Sequence, residues 1–490
     1  MKGNVKKIFA AVLALALVIS VAGCGKNDGL SKDGTYEVVW YNGEQPQNDH
    51  QEVYAKLSEI TKEKINVTVN YTPIAPAEYA EKMRLKFAAG EKIDLCFAST
   101  GTNYEVNARD KAYMDMGPLL DGVGKKTKDL FPQYALDCWK VGGVQFGIPV
   151  LKDWAFQPFL NPTTQMLKDA GVYDKAVNST ELSEWTDIIA AVSANEKANY
   201  GGSFYGILMR GNHTLFKFVD VESIPGSVVA GFTFDNYDKV VNVYNTDEAK
   251  EFYALMRTWY QAGYIKNDAA TSTSDADIWK VGNYLSGHGE WLPGTDGENP
   301  TSTSILGLTT PRMSTSQVTA TGIAMGRTCL QPEMTMELVN LIYNDAEIRN
   351  LTGLGIEGKH WIDDGANFKL PEGVETKADT GFESATSRMG NRWLLKADPG
   401  YPADTWDQWQ AFNENATISP AIGFTFDPEP VAGQIAAVQN VYNEFMPSIL
   451  VGAVDPKVEL PKAIAKMNSV GAEDIIKEVQ KQYDEWKKNK

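Results

Sequence analysis

The chain has 490 residues, with 46 basic and 63 acidic side chains and a formal net charge of −17. A chain of this length exceeds the size at which a single hydrophobic core stops growing, so we expect two domains. The excess of acidic charge disfavours nucleic acid and anionic lipid surfaces as partners, and it leaves a neutral solute open as a ligand.

The N-terminal segment predicts export from the cytoplasm. Three lysines precede an apolar run over residues 8–19, which is shorter than the roughly 20 residues that span a bilayer. Small residues then precede Cys24, in the pattern of a lipoprotein signal peptidase site. We therefore predict a signal peptide over residues 1–23, lipidation of Cys24 and a position on the extracellular face of the cell membrane. An uncleaved anchor helix is the alternative, and it would place the body of the protein in the same compartment.

Residues 24–35 are polar and rich in glycine, which predicts a flexible tether. The remaining cysteines, Cys96, Cys138 and Cys329, neither pair evenly nor show the spacing of metal ligands. We interpret them as buried thiols.

The body of the chain begins with alternating strand and helix patterns. Residues 38–41, 67–71 and 93–98 predict strands, and residues 51–61 and 76–90 predict the intervening helices. This order is typical of an α/β sheet covered on both faces. Ligands of such sheets bind beyond the carboxyl ends of the strands, so Asn42, Glu44 and Tyr104 are candidate binding residues.

A Gly-Gly turn at residues 142–143, with a change of pattern after Pro158, predicts the first crossing between the domains. The later predicted elements alternate again, although the C-terminal part is dense in tryptophan, proline and glycine. They are helices over 162–170, 182–194, 248–262, 275–286, 332–343 and 473–486, and strands over 205–209 and 318–324. In the helix over 275–286, we expect Ile278, Trp279 and Leu285 on the apolar side.

Motifs for metal, nucleotide or serine-hydrolase chemistry are absent from the sequence. The four histidines are far apart and form no metal-binding pattern, so we expect no metal and no cofactor. A glycoside hydrolase would need two carboxylates across a cleft, and Glu44 and Asp153 are the acids to consider. We favour a simpler role for both, as hydrogen-bond acceptors for ligand hydroxyls or backbone amides.

Several aromatic and basic residues are candidates for a binding cleft. Four tryptophans stand beside polar or turn residues, a context that suits a cleft wall. They are Trp154, Trp291, Trp361 and Trp393. Arg210 and Arg392 are candidate donors to sugar hydroxyls, although a solvated surface position remains open for both.

Five soft motifs follow the predicted lipidation site in order. They are Glu78-Tyr79 and Leu85–Glu91 with Asp94–Phe97, Phe146–Pro149, Trp259–Ile265, Gly355–Trp361, and Ser419–Asp427. With these motifs the chain resembles the family 1 extracellular solute-binding proteins of ABC importers, in particular the LplA-like lipoprotein subgroup of Gram-positive bacteria.

The resemblance implies a two-lobed, periplasmic-binding-protein-like fold of type II that closes on its ligand by movement about crossing segments. We expect residues 36–147 with about 287–320 in lobe 1 and residues 148–286 with about 321–350 in lobe 2. Residues 351–490 are expected to pack on lobe 2.

The implied function is capture without catalysis. A monomeric protein, held at the membrane by its lipid anchor only, would bind a neutral solute, an oligosaccharide, and deliver it to ABC permease subunits. Two alternatives stay open, a surface-anchored glycoside hydrolase and a peptide-binding or sensory lipoprotein.

Overall fold

The computed structural model describes residues 28–295 and 301–490, so the predicted signal peptide and Cys24 lie outside the described residues. The strands of the described part are numbered in chain order. They are β1 (Tyr36–Asn42), β2 (Val67–Pro73), β3 (Leu95–Ala98), β4 (Lys140–Val141), β5 (Val144–Gln145), β6 (Gly147–Pro149), β7 (Pro158–Pro162), β8 (Tyr205–Ile207), β9 (Val221–Ser223), β10 (Ala230–Thr233), β11 (Asn236–Asn242), β12 (Tyr284–Glu290), β13 (Arg312–Met313), β14 (Gly322–Met325), β15 (Ile362–Asp364), β16 (Asn367–Lys369) and β17 (Thr417–Ile418).

The helices fall into a long and a short group, and no helix of the described residues is long and apolar enough to cross a membrane. The long helices are His50–Ile65, Pro76–Ala89, Trp185–Glu196, Asp247–Gln261, Pro332–Asn344, Ala346–Leu354, Thr405–Asn415, Ala432–Leu450, Pro456–Ser469 and Ala472–Asn489. The short helices are Tyr104–Arg109, Gly117–Asp121, Lys125–Lys128, Gln133–Asp137, Thr164–Asp169, Tyr173–Val177, Ala276–Val281 and Thr315–Val318.

Lobe 1 is built on a five-stranded sheet in the order β2-β1-β3-β14-β6. Strand β1 is parallel to β2 and β3, whereas β14 is antiparallel to β3 and β6. The predicted alternation of strands and helices is confirmed over this part of the chain. The helix that begins with Pro76 at its first turn ends at Gly90, whose φ of 67° is a conformation that glycine adopts without a steric cost.

Lobe 2 contains two three-stranded sheets, β7-β12-β8 and β11-β10-β9, around a second hydrophobic core. The helix Asp247–Gln261 begins as predicted, because the Thr246 hydroxyl accepts the Ala249 amide at 3.2 Å. The helix predicted over 275–286 is shorter than expected. It ends at Gly282, and Leu285 belongs to β12 instead. The side chain of Trp279 is 66% exposed, so it does not lie on a buried apolar face as expected.

The predicted division of the chain between the lobes is corrected in its middle part. Strand β14 lies between β3 and β6, so the segment around residues 322–325 belongs to lobe 1 and not to lobe 2. Strand β12 pairs with β7 and β8, and Ile305 bridges Leu160, so residues 287–290 and the segment around residue 305 belong to lobe 2. These pairings, all antiparallel except that of β12 with β8, join segments that are distant in sequence, and no local pattern reveals them.

The C-terminal region divides between the lobes, although the expected packing was on lobe 2 alone. Phe382, Met389 and Phe412 are buried in the core of lobe 1. The last three helices, from Ala432 to Asn489, close the core of lobe 2, and the Gln480 side chain accepts the β11 amide of Val240 at 2.7 Å. Residues 351–416 therefore extend lobe 1, whereas Ala421, Phe424, Phe426 and Val431 and the final helices cover lobe 2.

Candidate functional site

Three chain segments run side by side where the lobes meet. The backbones of Phe156 and Arg312 form two hydrogen bonds. The Phe156 amide donates to the Arg312 carbonyl at 2.8 Å, and the Arg312 amide donates to the Phe156 carbonyl at 2.9 Å. Strand β13, which contains Arg312, pairs in parallel with β17. We call these backbone-bonded segments, around residues 156, 312–313 and 417–418, the crossing strands.

A cavity of about 630 Å³ lies beside the crossing strands. The lobe 2 segment 217–223 and the tip between β10 and β11 form one wall, and residues 309–317 and 417–420 contribute to the rest. Four aromatic residues line it, namely Phe156, Phe218, Phe234 and Tyr237. A concave site with aromatic walls and a few polar groups is the usual form of a small-molecule binding site.

Glu222 supplies a half-buried carboxyl group to the wall of this cavity. Its Oε2 accepts the Tyr237 hydroxyl at 2.8 Å and its Oε1 accepts the Ser419 hydroxyl at 3.0 Å. Burial raises the pKa of Glu222 above its ordinary value, and the two hydrogen bonds and the charge of Arg312 counteract this only in part. Glu222 thus connects lobe 2 to the crossing strand that ends beside Ser419.

Two cationic side chains line the same cavity. The Arg312 guanidinium lies 3.7 Å from the centre of the Phe234 ring, a cation–π contact. The Lys217 ammonium donates to the Gly289 carbonyl at 3.1 Å, and burial lowers the pKa of this lysine. Asp220 and Asp235, the other charged residues of the lining, are exposed to solvent.

A second group, on the side of lobe 1, brings together three residues predicted from the sequence. The Arg392 Nη1 donates to the Asp153 carboxylate at 3.1 Å, and its guanidinium lies 4.5 Å from the centre of the Trp409 ring. Trp393 contacts Trp406 with ring centres 5.9 Å apart. Trp406 and Trp409 belong to the helix Thr405–Asn415, so one helix aligns this aromatic group.

Trp291, another tryptophan predicted to line the cleft, contacts the same helix from the end of the lobe 2 strand β12. It follows β12, and its ring lies 5.5 Å from that of Phe412 in an edge-to-face arrangement. Its backbone amide donates to the Gln157 carbonyl at 2.9 Å, one residue before β7. Trp291 therefore lies near the crossing strands, whereas its indole does not line the 630 Å³ cavity.

The prediction that a ligand binds Asn42, Glu44 and Tyr104 is corrected. The structure places all three in the interior of lobe 1, with exposures of 0%, 2% and 0%. The Tyr104 hydroxyl donates to the Trp139 carbonyl at 2.6 Å. Glu44 accepts hydrogen bonds from the Ser384 hydroxyl and the Ala385 amide. A C-terminal segment thus covers the strand end at which a ligand was expected.

Two of the predicted cleft tryptophans are buried as well. Trp154 and Trp361 are 4% and 6% exposed, and their indole N–H groups donate to the carbonyls of Val150 and Gly355 at 3.0 and 2.9 Å. Their surroundings are hydrophobic clusters, which corrects the expectation of a cleft wall. Arg210 is held within lobe 2 by the Thr273 carbonyl at 2.8 Å and does not line the cavity.

The cavity residues were missed by sequence reasoning. Phe218, Glu222 and Phe234 stand in segments without a marked periodicity, and Arg312 is an isolated basic residue between threonine, proline and methionine. The nearest signal was positional, because Phe156 lies between the Gly-Gly turn at residues 142–143 and Pro158, where the first crossing between the domains was predicted. That position alone does not reveal which side chains the second lobe contributes.

The described residues contain no group of three or more His, Cys, Asp or Glu side chains arranged to hold a metal ion. Cys96, Cys138 and Cys329 are free and buried, in agreement with their interpretation as buried thiols. Cys24 lies outside the described residues, so its lipidation stays a prediction.

Comparison with known proteins gives similarity along the whole chain. The chain is 28% identical over 517 residues to a curated protein of Streptococcus pneumoniae serotype 4 named carbohydrate ABC transporter substrate-binding protein, and the alignment covers all of both chains. A family described only as a domain of unknown function, DUF3502, matches residues 420–488. The resemblance inferred from the sequence motifs is confirmed by the whole-length match.

Solved structures of solute-binding proteins share the fold. A crystal structure of the N-glycan transport solute-binding protein NgtS from Streptococcus pneumoniae has a TM-score of 0.79 and 22% identity, covering 92% of this chain and 99% of that one. An extracellular solute-binding protein from Bifidobacterium longum subsp. infantis has a TM-score of 0.70 and 14% identity, covering 93% and 99%. The two-lobed α/β fold expected from the resemblance is thereby confirmed.

Proposed function

We propose that this chain is the extracellular solute-binding component of an ABC importer, and that it binds an oligosaccharide between its two lobes and delivers it to the permease subunits. The whole-length similarity to a curated carbohydrate ABC transporter substrate-binding protein supports the class. The related NgtS structures include complexes with Man1GlcNAc and Man5GlcNAc, which supports a glycan as the ligand.

The cavity beside the crossing strands is the observation that carries this proposal. Lobe 2, the crossing strands and the helix Thr315–Val318, whose Val318 is buried in the core of lobe 1, line the cavity, so a ligand held there would contact both lobes. Aromatic rings can stack on the apolar faces of sugar rings, and the few polar groups can bind hydroxyls. A ligand favours the closed state only to the extent that it binds that state more tightly, and contacts to both walls meet this condition.

The tryptophan group with Asp153 and Arg392 is proposed as an extension of this site. The rings of Trp291 and Trp393 contact the helix Thr405–Asn415, and the Trp291 amide donates to the carbonyl of Gln157, one residue before β7. We propose that a glycan longer than the cavity contacts these rings. The expected attachment through a lipid on Cys24, the extracellular location and the monomeric state belong to the same proposal.

A binding screen tests the ligand class. We expect neutral oligosaccharides to raise the melting temperature of the mature chain, because a ligand that binds only the folded state stabilises it. Peptides of similar size serve as the matched comparison. Stabilisation by peptides and by no glycan would replace the proposal with the peptide-binding alternative.

Product analysis tests the glycoside hydrolase alternative. The acids considered for catalysis do not suit a general acid, because the pKa of Glu44 is lowered and Asp153 is paired with Arg392. Glu222 has a raised pKa and lines the cavity, so it is the acid to examine. We expect mass spectrometry to recover the bound glycan intact after prolonged incubation. Shortened products that vanish in Glu222→Gln would instead identify an enzyme.

A further inference from the structure

The guanidinium of Arg312 lines the cavity without a hydrogen-bond acceptor from the described part of the chain. A guanidinium carries five N–H donors. Among residues 28–295 and 301–490, no acceptor lies within hydrogen-bonding distance of this group, and no carboxylate forms an ion pair with it. Lys217, the other cation of the lining, already donates to the carbonyl of Gly289. The five donors of Arg312 are therefore available to a ligand.

The side chain of Arg312 is held at both of its ends. At the backbone, Arg312 exchanges two hydrogen bonds with Phe156, and its strand β13 also pairs with β17. At the tip, the guanidinium lies 3.7 Å from the centre of the Phe234 ring. Phe234 follows β10 of lobe 2, and its amide donates to the Asp220 carbonyl at 3.1 Å. Because the donors are already held in position, little conformational freedom is lost when a ligand binds them.

The carboxyl group of Glu222 belongs to the same part of the wall. It accepts the Ser419 hydroxyl at 3.0 Å, and the Ser419 amide donates at 2.8 Å to the carbonyl of Met313, the residue after Arg312. Burial raises the pKa of Glu222, and the positive charge of Arg312 is one of the influences that lower it. In the described chain the carboxyl group is held by hydroxyl groups and the guanidinium by an aromatic ring, so the two do not pair with each other.

The charges of the lining favour a neutral ligand over an anionic one. Three acids and two cations line the cavity, namely Asp220, Glu222, Asp235, Lys217 and Arg312. The whole chain has a net charge of −17, so an anionic group that approached Arg312 would meet a negative potential. The planar fork of a guanidinium fits two adjacent oxygen atoms. In a neutral glycan, two neighbouring hydroxyl groups of one ring supply such a pair of acceptors.

We propose that Arg312 is the residue that selects the ligand: its guanidinium donates to two neighbouring hydroxyl oxygens of one ring of a neutral glycan, and Phe234 positions it for this contact. This inference rests on the proposed function and specifies the sugar contact within it. Arg312 belongs to a crossing strand and Phe234 to lobe 2. A sugar ring bound by the guanidinium is therefore held at the point where the lobes join.

The experiment begins with an array of neutral oligosaccharides and of oligosaccharides that carry a uronic acid, followed by calorimetry on the mature chain. We expect a neutral glycan among the ligands. Arg312→Met, which keeps an apolar side chain against Phe234 but has no donor, should weaken the binding of this glycan about tenfold or more. Arg312→Lys should restore only part of the affinity, because an ammonium group lacks the planar fork.

Monodeoxy derivatives of the bound glycan show whether Arg312 contacts hydroxyl groups. In the wild-type chain, removal of either of two neighbouring hydroxyls should weaken binding. Arg312→Met should bind these two derivatives and the parent glycan almost equally, because the contact is already lost. Phe234→Leu should discriminate less between them than the wild type does, because the ring no longer holds the guanidinium. A purely structural role of either residue would weaken the binding of all three ligands alike.

Arg388→Met is the matched control. Arg388 is also half-buried, and its guanidinium lies 5.3 Å from the centre of the Phe97 ring, but it does not line the cavity. We expect this variant to bind the glycan and its derivatives as the wild type does. Melting temperatures show which variants keep the fold, and if Arg312→Met does not fold, the derivatives are compared in Arg312→Lys.

The outcomes separate this inference from the proposed function. If no glycan binds, the proposed function fails and this inference falls with it. If a glycan binds and Arg312→Met retains wild-type affinity or wild-type discrimination between the derivatives, the function stands and this inference is wrong. Full affinity in Arg312→Lys would refute the contact to two oxygens, and unchanged discrimination in Phe234→Leu would refute the positioning role. A ligand set composed only of glycans with a uronic acid would overturn the neutral class.

Discussion

Replacing Glu44 with alanine tests how lobe 1 is closed by the C-terminal region. The carboxylate is 2% exposed and accepts the Ser384 hydroxyl at 3.1 Å and the Ala385 amide at 2.9 Å, and the Tyr71 hydroxyl donates to it as well. Each hydrogen bond to a charged group contributes about 1.5–3 kcal/mol net. Because Glu44→Ala leaves these buried donors without their acceptor and part of the loss is recovered by relaxation, we expect the free energy of unfolding to decrease by about 3–5 kcal/mol.

The same residue predicts a dependence of stability on pH. Burial favours the protonated form of Glu44, but the hydrogen bonds from His50, Tyr71 and the Ala385 amide outweigh it, so its pKa lies below the ordinary value of 4.5. A carboxyl group with a lowered pKa in the folded state stabilises the fold above pH 4.5. That contribution is lost as the pH falls from 4.5 through the lower folded value, and in Glu44→Ala it should be absent at every pH.

Urea denaturation followed by tryptophan fluorescence measures both effects. Glu78→Ala is the matched control, because Glu78 is exposed on the helix Pro76–Ala89 and its ion pair with Lys82 is solvated. We expect no measurable change in the control. If Glu44→Ala is as stable as the control at pH 7, the carboxylate does not hold the C-terminal segment, and the account of how lobe 1 is covered is refuted.

Further predictions concern buried groups. Trp154→Ala should lower the unfolding free energy by about 3–5 kcal/mol, measured by urea denaturation, and leave glycan affinity unchanged in calorimetry, because the indole is 4% exposed within the core. Burial, and then the charge of Lys217, lower the pKa of His288 to about 3. The free energy of unfolding should therefore decrease as the pH falls from 6.5 toward 3, and this decrease should be smaller in His288→Phe. Burial raises the pKa of the Cys96, Cys138 and Cys329 thiols, the last two to about 12, so mass spectrometry should find them unmodified after native iodoacetamide treatment at pH 8.

Local signals in the sequence were sufficient for much of the secondary structure. Pro76 and Gly90 marked both ends of one helix, and Thr246 marked the start of another, because caps and turn residues act on their immediate neighbours. The helix predicted over 275–286 was too long because Gly282 adopts a left-handed conformation that stops it. A glycine within a helical pattern does not by itself reveal whether it ends the helix.

The position of the candidate site depended on contacts between distant segments, and these could not be predicted. Glu44 follows a strand, which is the usual position of a ligand-binding residue in an α/β sheet. However, Ser384 and Ala385, some 340 residues later in the chain, cover it. Glu222 has no sequence feature that distinguishes it from other surface acids. It becomes a cavity residue because Ser419 and Tyr237 meet it in the folded chain. Asp153 was predicted as a hydrogen-bond acceptor and Arg392 as a donor to sugar hydroxyls, but their contact with each other was not foreseen.

The interleaving of the two lobes has a consequence for how the protein matures. Lobe 1 lacks the strand that joins β3 to β6 until β14 has emerged, and lobe 2 keeps an open core until the final helix covers it with Ile475, Val479 and Tyr483. Lobe 1 therefore cannot complete its packing during synthesis before the residues up to about 422 have emerged, and lobe 2 cannot complete its packing while the final helix is missing. For a chain exported as proposed above, we expect the polypeptide to stay loosely packed until its C-terminus has emerged, and to acquire its stable form outside the membrane.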